Sequence, residues 1–265
     1  MPALDKLLAR NLGCSRAEAR KLLAKRADCR VGEGGLCPPE PERGKAWKPS
    51  QGFHLDDPSG EVAEHAVPFE IDLCGRPVKL YDAFHLMLNK PAGCVTALRD
   101  RDHPTALSYL RAAPLFAELR PIGRLDLDST GLLLWTTDGA LLHRLTHPRS
   151  AIPRSYHVAL ARGFDPLPPD LVLRDGHRPK VVDLHAAAEA DMHPSLARAP
   201  QATVFAGITL GDGAYHEVRR IFAALGSHVL SLCRVSFGPL DLPRDLAPGE
   251  WRPVPSQSLP PQKPR

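Results

Sequence analysis

Long apolar runs are missing from this 265-residue chain, although 43% of its residues are hydrophobic. A membrane helix needs about 20 consecutive apolar residues, and no stretch approaches that length. The first residues, MPALDKLLARNLG, contain no uninterrupted apolar core of the kind that secretory signals have. These absences predict a cytoplasmic protein without a membrane partner, large enough for one or two domains with a sizeable core.

Patterns typical of metal sites are also missing. None of the six cysteines stands in a Cys-x-x-Cys pair, and no His-Glu-x-x-His sequence occurs among the twelve histidines. Zinc-dependent nucleic-acid enzymes rely on such spacing. We therefore expect no metal ion, and reduced thiols as in other cytosolic proteins.

Positive charge is concentrated at the N-terminal end. Residues 1–30 contain eight basic and three acidic residues, a net charge of +5 against +4 for the whole chain, so the other 235 residues carry −1. This imbalance predicts a module that binds a polyanion, attached to a nearly neutral body.

Two short helices are predicted in this basic segment. Leucines recur at helical spacing over Leu4–Leu12, and a Leu-Gly-Cys turn follows. Ser15 and Glu18 form a capping-box pattern, so a second helix is expected to begin at Arg16. The residues expected to face the first helix are Ala19, Leu22 and Leu23. The basic side chains expected to face solvent, as a solvated face or as contacts to phosphates, are Arg16, Arg20, Lys21 and Lys25.

The rest of the chain predicts short strands with interspersed helices, which indicates an α+β fold on a mixed, mostly antiparallel sheet. Strands are predicted at Phe69–Leu73, His85–Asn89, Leu132–Trp135, Tyr156–Leu160, Ala202–Leu210 and His228–Val235, and near Gly238–Leu242. Helices are predicted at Thr105–Leu110, Ala140–Thr146 and His216–Leu225. Gly75-Arg76-Pro77 is interpreted as a turn, and Val254–Arg265, rich in Pro, Ser and Gln, as a disordered tail.

The most informative segment is Gly123–Gly139, with the sequence GRLDLDSTGLLLWTTDG. A Gly-Arg-Leu-Asp turn holds Asp126 just before the apolar run Leu132–Trp135. A carboxylate fixed by a tight turn beside a rigid strand can be presented to a substrate in one orientation. Asp128, in the same turn, is the alternative carboxylate, and Asp138 is interpreted as a turn residue.

This segment resembles the catalytic-aspartate motif of the pseudouridine synthases that modify ribosomal RNA. Three further strings are similar to the same family, in order and with matching spacing, and the resemblance covers residues 85–253. They are His85–Gly93 with Asp102-His-Pro-Thr, Arg154-Ser-Tyr156, and Gly213–Phe222 with Leu232–Gly238. The first thirty residues resemble the alpha-L RNA-binding module, and a Gly/Pro-rich insertion, loop or degenerate hairpin follows Arg30.

The resemblance implies a pseudouridine synthase fold preceded by a helical alpha-L module. The expected boundaries are 1–60 for the module and its linker, 61–253 for the catalytic domain and 254–265 for the tail. The family's chemistry needs no cofactor and no metal. It needs one ionised carboxylate as nucleophile or base, and an RNA base that flips out of its stack.

Residue roles follow from the same resemblance. Asp126 is expected to be the catalytic carboxylate and Arg219 the buried cation that keeps it charged, with Arg220 as the fallback or as an RNA contact. Tyr156 is expected to stack on the target base and to assist proton removal from C5, and Arg124 to hold the RNA around the flipped nucleotide. His216, which opens a helix, is expected to have a structural or capping role.

The substrate expectation follows from the family branch. The ending Pro-Gly-Glu-Trp-Arg-Pro-Val and the Gly-x-Tyr-His spacing resemble the branch that forms pseudouridine at position 516 of 16S ribosomal RNA. The expected partner is thus 16S rRNA or a small-subunit assembly intermediate, bound by a monomer. Two alternatives stay open, a 23S rRNA synthase and a non-catalytic rRNA-binding or ribosome-assembly factor. Two residues depart from the family pattern, namely Ala214 at a commonly basic position and Glu217 where glutamine is more common.

Overall fold

The computed structural model describes residues 3–24, 69–73 and 76–260. The chain divides into two compact units, Met1–Phe84 with Ala113–Glu118, and His85–Ala112 with Leu119–Arg265. Within the described ranges, no helix combines the length and apolar character needed to cross a membrane. Lys25 and the Gly/Pro-rich stretch after Arg30 lie outside the described residues.

The two predicted N-terminal helices are confirmed. Helix α1 spans Leu4–Leu12 and ends at Gly13, which takes a left-handed φ of +65° that glycine adopts without a steric penalty. Helix α2 spans Arg16–Ala24. Its capping box is formed as predicted, because the Ser15 backbone N–H and hydroxyl donate to Glu18 Oε2 at 2.8 and 2.7 Å.

The basic face of α2 differs from the expectation of free, solvent-facing side chains. Arg16 and Arg20 both bond to the carboxylate of Asp5, at 2.8 and 2.6 Å, although each arginine stays about half exposed. Asp5 is fully buried on α1, and a buried carboxylate requires such partners. Burial alone would raise the pKa of Asp5, but the hydrogen bonds from the two arginines lower it below its usual value. These two guanidinium groups therefore hold the helix pair together.

Fewer apolar residues of α2 are buried than predicted. Ala19 and Leu23 are buried, whereas Leu22 is exposed, as is Leu12 on α1. Lys21 is exposed as expected.

The described part of the first unit also contains two strands and a 3-10 helix, Phe116–Glu118. Strand β1 spans Phe69–Leu73, as predicted, and pairs antiparallel with β2, Arg76–Leu80. The turn predicted at Gly75-Arg76-Pro77 is therefore wrong for Arg76 and Pro77, which are paired strand residues, and Gly75 lies outside the described residues.

A nine-stranded sheet with two α-helices forms the second unit. Its strands are β3 His85–Lys90, β4 Arg120–Ile122, β5 Thr130–Thr136, β6 Arg154–Leu160, β7 Val181–Ala187, β8 Val204–Leu210, β9 Val229–Phe237, β10 Leu240–Asp241 and β11 Trp251–Pro253. The order is β11-β3-β5-β9-β6-β8-β7, with β4 beside β5 and β10 beside β9. The pair β5–β9 is parallel and the other pairs of this sheet are antiparallel, which confirms the predicted α+β class.

The helices of this unit lie close to their predicted positions. Helix α3 spans Gly139–Thr146 and α4 spans Glu217–Ala224, while the segment Ala106–Leu110 is a 3-10 helix. Asp138 is more than a turn residue, since its carboxylate caps α3 by accepting from the backbone N–H groups of Ala140 and Leu141. Strand β7 was not predicted because its side chains, half exposed along an edge strand, show no apolar alternation.

The predicted disordered tail is wrong for its first seven residues. Val254 and Leu259 are buried and belong to the core of the second unit. A 3-10 helix covers Ser256–Ser258, and Arg144 donates a 2.6 Å hydrogen bond to the Pro260 carbonyl. Two apolar residues suffice to anchor a segment that is otherwise polar.

The parallel pair β5–β9 positions the candidate site. All seven residues of β5 are buried, and the Asp126 turn leads directly into the strand. Gly131 has φ +101°, and an added Cβ would lie 2.3 Å from the Arg234 carbonyl oxygen on β9. Only glycine permits this approach, which brings the start of β5 against β9 and, across β9, against β6.

Candidate active site

The loop that carries Asp126, residues 123–129 between β4 and β5, is held by hydrogen bonds from several directions. The Thr96 hydroxyl donates to the Leu125 carbonyl at 2.9 Å and accepts from the Leu125 N–H at 3.1 Å. Within the loop, the Ser129 N–H donates to the Asp126 carbonyl at 3.2 Å. The backbone on either side of Asp126 is thereby fixed.

Lys90, at the end of β3, holds the same loop from the protein interior. Its side chain is fully buried and its ammonium donates to the carbonyl oxygens of Ser129, at 2.7 Å, and Pro91, at 3.0 Å, with the Leu127 carbonyl at 3.4 Å. Burial lowers the pKa of Lys90, and the charges of Cys94 and the loop aspartates oppose that shift. A buried cation thus lies directly behind the acidic loop.

Arg234 on β9 is a second buried cation behind the loop. It is 2% exposed, and it donates to the Leu132 carbonyl at 2.8 Å and to the Arg124 carbonyl at 3.5 Å. Its guanidinium also lies over the ring of Phe237. Burial lowers its pKa, while the interaction with Tyr156 on β6 opposes the shift. Arg234 therefore connects the loop, β5 and β6.

Two basic side chains approach the Asp126 carboxylate from the segment around α4. His216 Nε2 lies 3.3 Å from Oδ1, and Arg219 Nε lies 4.0 Å from Oδ2. Arg219 makes its shorter ion pair, 2.8 Å, with Asp128 and donates to the Val229 carbonyl. The predicted cation is present, but it bridges the two carboxylates and lies nearer to Asp128.

His216 differs from its predicted capping role. It occupies the N-cap position of α4 in a left-handed conformation, φ +48°, yet its side chain makes no capping hydrogen bond. The imidazole contacts Asp126 on one side, and its ring stacks on the Tyr215 ring, with centroids 3.9 Å apart.

A pocket opens at this point. Asp126, Tyr156, His216 and Arg219 line it together with apolar side chains, which are Leu125, Leu210, Val218 and Leu232. Tyr156 is 8% exposed. A carboxylate and an aromatic ring that line one pocket, together with polar and apolar side chains, suit a flat, polar-edged ring such as a nucleobase.

The one group of described side chains that could hold a metal ion lies at the start of α4. The ligand atoms of His177, Asp212 and Glu217 lie within 4.8 Å of one another. Glu217 is buried and its two oxygens already have partners, His177 Nε2 at 2.7 Å and the Ala214 N–H at 2.8 Å. Lys180 lies 3.8 Å from Asp212. These two contacts make Glu217 a clamp between His177 and the Ala214 backbone, whereas the buried Asp212 Oδ1 accepts no hydrogen bond from the described residues.

Comparison with known proteins identifies the family to which the chain belongs. A family model for RNA pseudouridylate synthases matches residues 85–224. The ribosomal small subunit pseudouridine synthase A of Escherichia coli (strain K12) is 35% identical over 258 residues, 97% of each chain. The chain belongs to the RNA pseudouridine synthase family. It is therefore an isomerase by class.

A further relative and a solved structure support the same family assignment. The uncharacterized RNA pseudouridine synthase YtzG of Bacillus subtilis (strain 168) is 32% identical over 76% of this chain and 83% of its own. A crystal structure of a pseudouridylate synthase has a TM-score of 0.50 and 26% identity, with 97% of both chains covered.

The two candidate RNA-binding arginines of the second unit, Arg124 and Arg220, differ in their contacts with the rest of the protein. Arg124 is exposed at the pocket. Arg220 forms an ion pair with Asp175 and donates to the Tyr215 carbonyl at 3.1 Å, so it supports the turn before α4. Lys90 and Arg234 stood inside the family-like strings but had no predicted role, since a residue pattern does not reveal which charges are buried.

Proposed function

We propose that this pseudouridine synthase converts one uridine of small-subunit ribosomal RNA to pseudouridine, with Asp126 as the catalytic carboxylate. The observation that supports this most directly is the position of Asp126. It lies at the mouth of a pocket that also contains Tyr156, on a loop fixed by Thr96 and by the buried Lys90. Such rigidity suits a group that must meet one atom of a substrate.

The chemistry requires little else from the protein. The N1–C1′ bond of uridine breaks and a C5–C1′ bond forms, while the base loses a proton from C5 and gains one at N1, so no redox equivalent is consumed. Asp126 starts the reaction on the flipped nucleotide. Tyr156 contacts the base and assists the removal of the C5 proton. Arg219 and His216 supply polar contacts to the carboxylate, and Arg124 holds the surrounding RNA.

The substrate is inferred from the relatives. The Escherichia coli relative is a ribosomal small subunit synthase, and it aligns with 97% of this chain. We therefore propose small-subunit rRNA, free or in an assembly intermediate, as the target, and we propose position 516 of 16S rRNA from the resemblance of the Pro-Gly-Glu-Trp-Arg-Pro-Val ending to that family branch.

Pseudouridine mapping tests the proposal. The purified protein is incubated with unmodified 16S rRNA, 23S rRNA and small-subunit assembly intermediates, and carbodiimide labelling with primer extension then locates new pseudouridines. One new stop at 16S position 516 is expected. A stop in 23S rRNA alone would leave the chemistry in place and refute the substrate, and no stop on any RNA would favour a binding factor.

Two matched variants test the carboxylate. Asp126→Asn should abolish the stop while the protein still binds RNA, because the amide cannot act as nucleophile or base. Asp128→Asn removes the exposed neighbour that pairs with Arg219 and should leave measurable activity. The reverse pattern would move the catalytic role to Asp128.

A further inference from the structure

We propose that Tyr215, stacked on His216, is a platform for an unpaired nucleobase of the RNA that flanks the target nucleotide. This inference rests on the proposed function in one respect, namely that the ligand at Asp126 is RNA. It assigns a second base-binding position, outside the pocket that contains Tyr156.

The exposure of Tyr215 is the first reason. The side chain is 79% exposed, the largest value among the big hydrophobic residues of the described ranges. One face of its ring stacks on His216 at 3.9 Å with an interplanar angle of 17°. The other face has no comparable ring partner among the described residues, and every nucleobase offers a π-face that can stack there.

The second reason is that the backbone that carries the ring is held in place. The Tyr215 carbonyl accepts a hydrogen bond from Arg220, and the preceding Ala214 N–H donates to Glu217, which His177 holds in turn. The backbone beneath an exposed aromatic ring is thus fixed on both sides. An ordered ring loses less entropy when a base stacks on it.

The third reason is the conformation of His216. Its left-handed φ is uncommon for a residue other than glycine, although histidine adopts it more often than most residues, and its side chain makes no capping hydrogen bond. It does place the imidazole between the Tyr215 ring and the Asp126 carboxylate. Strained backbone of this kind is concentrated where function depends on it. A base on Tyr215 would therefore lie next to the nucleotide that Asp126 engages.

Fluorescent RNA tests the platform directly. A target RNA fragment carries 2-aminopurine at a position flanking the uridine, and binding is followed by its fluorescence. Stacking on Tyr215 should quench the signal with the wild type and with Tyr215→Phe, but not with Tyr215→Ala. The alanine variant should also bind the RNA roughly 5- to 100-fold more weakly, with a single-turnover rate at saturating enzyme that changes much less.

The control is Tyr109→Ala, a second half-exposed tyrosine of the same unit, which should match the wild type. Thermal unfolding of each variant separates loss of fold from loss of contact, and the phenylalanine variant retains the ring if the fold is sensitive. Equal binding and quenching by wild type and Tyr215→Ala would refute the platform. An equal loss in the phenylalanine and alanine variants would also refute it, because the hydroxyl would then be the contact.

The readout does not depend on catalysis. If the wild type forms no pseudouridine on any RNA, the proposed function fails, yet quenching by bound RNA still tests the platform.

Discussion

Replacing Lys90 by methionine tests whether a buried cation positions the loop that carries Asp126. Methionine matches the length of the lysine stem but cannot donate to the carbonyls of Ser129 and Pro91, which lie 2.7 and 3.0 Å from the ammonium. Hydrogen bonds from a charged donor contribute about 1.5–3 kcal/mol each. Relief of the cost of burying the charge offsets part of this. We expect a net loss of about 2 kcal/mol in the free energy of unfolding.

The effect on activity should exceed the effect on stability. The loop bears Asp126, and a displacement of about 1 Å at a reacting group can lower a rate by about 100-fold. We therefore expect the single-turnover rate of pseudouridine formation for Lys90→Met to fall by about that factor under conditions where the protein is fully folded.

Denaturant unfolding and single-turnover assays on the same preparations measure both quantities. Lys180→Met is the matched control, since its side chain is 68% exposed and lies 3.8 Å from Asp212, and it should leave stability and rate nearly unchanged. If Lys90→Met unfolds at the wild-type denaturant concentration and reacts at the wild-type rate, the ammonium does not position the loop.

Three further changes have defined outcomes. Gly131→Ala should destabilise the second unit by several kcal/mol in denaturant unfolding, because the new methyl group would meet the β9 backbone at 2.3 Å. Burial lowers the pKa of His157 and His193 below 6.5, and each Nδ1 accepts a backbone N–H, so stability should fall as pH drops from 6.5 towards the lowered values. His157→Asn should flatten that pH dependence of the unfolding midpoint; an unchanged slope would contradict it. Glu217→Gln should keep most activity, whereas Glu217→Ala, which leaves the Ala214 N–H without its acceptor, should weaken RNA binding in a titration.

Most elements of the fold could be predicted from patterns of neighbouring residues. The capping box at Ser15 and Glu18 and the apolar run within β5 depend on neighbouring residues, and both were predicted with nearly correct bounds. Edge strand β7 and the ordered part of the C-terminal segment were not predicted, because their order comes from pairing with β8 and from the burial of Val254 and Leu259. These contacts join positions far apart in the chain.

The candidate site was predictable in part, since the sequence indicated some of its residues but not the contacts between them. Asp126 and Tyr156 do line one pocket, as their place in the family-like strings implied. The pairing of Arg219 with Asp128, rather than more closely with Asp126, depends on side-chain geometry that spacing does not encode. The contact of His216 with Asp126 depends on a left-handed backbone conformation, which is uncommon for residues other than glycine and which residue type alone does not predict.

The roles of basic residues are the hardest to predict from the sequence, because the sequence does not show which basic side chains are buried or paired. Arg16 and Arg20 were counted towards RNA binding, yet both neutralise the buried Asp5. Lys90 and Arg234 carry charge that bonds to loop and strand carbonyls inside the second unit. Cations used this way strengthen the scaffold because their donors are satisfied by fixed acceptors, whereas the RNA contacts of the half-exposed Arg16 and Arg20 stay a prediction. The charge at the surface therefore depends on exposed groups such as Arg124, and the net charge of the chain is a poor measure of it.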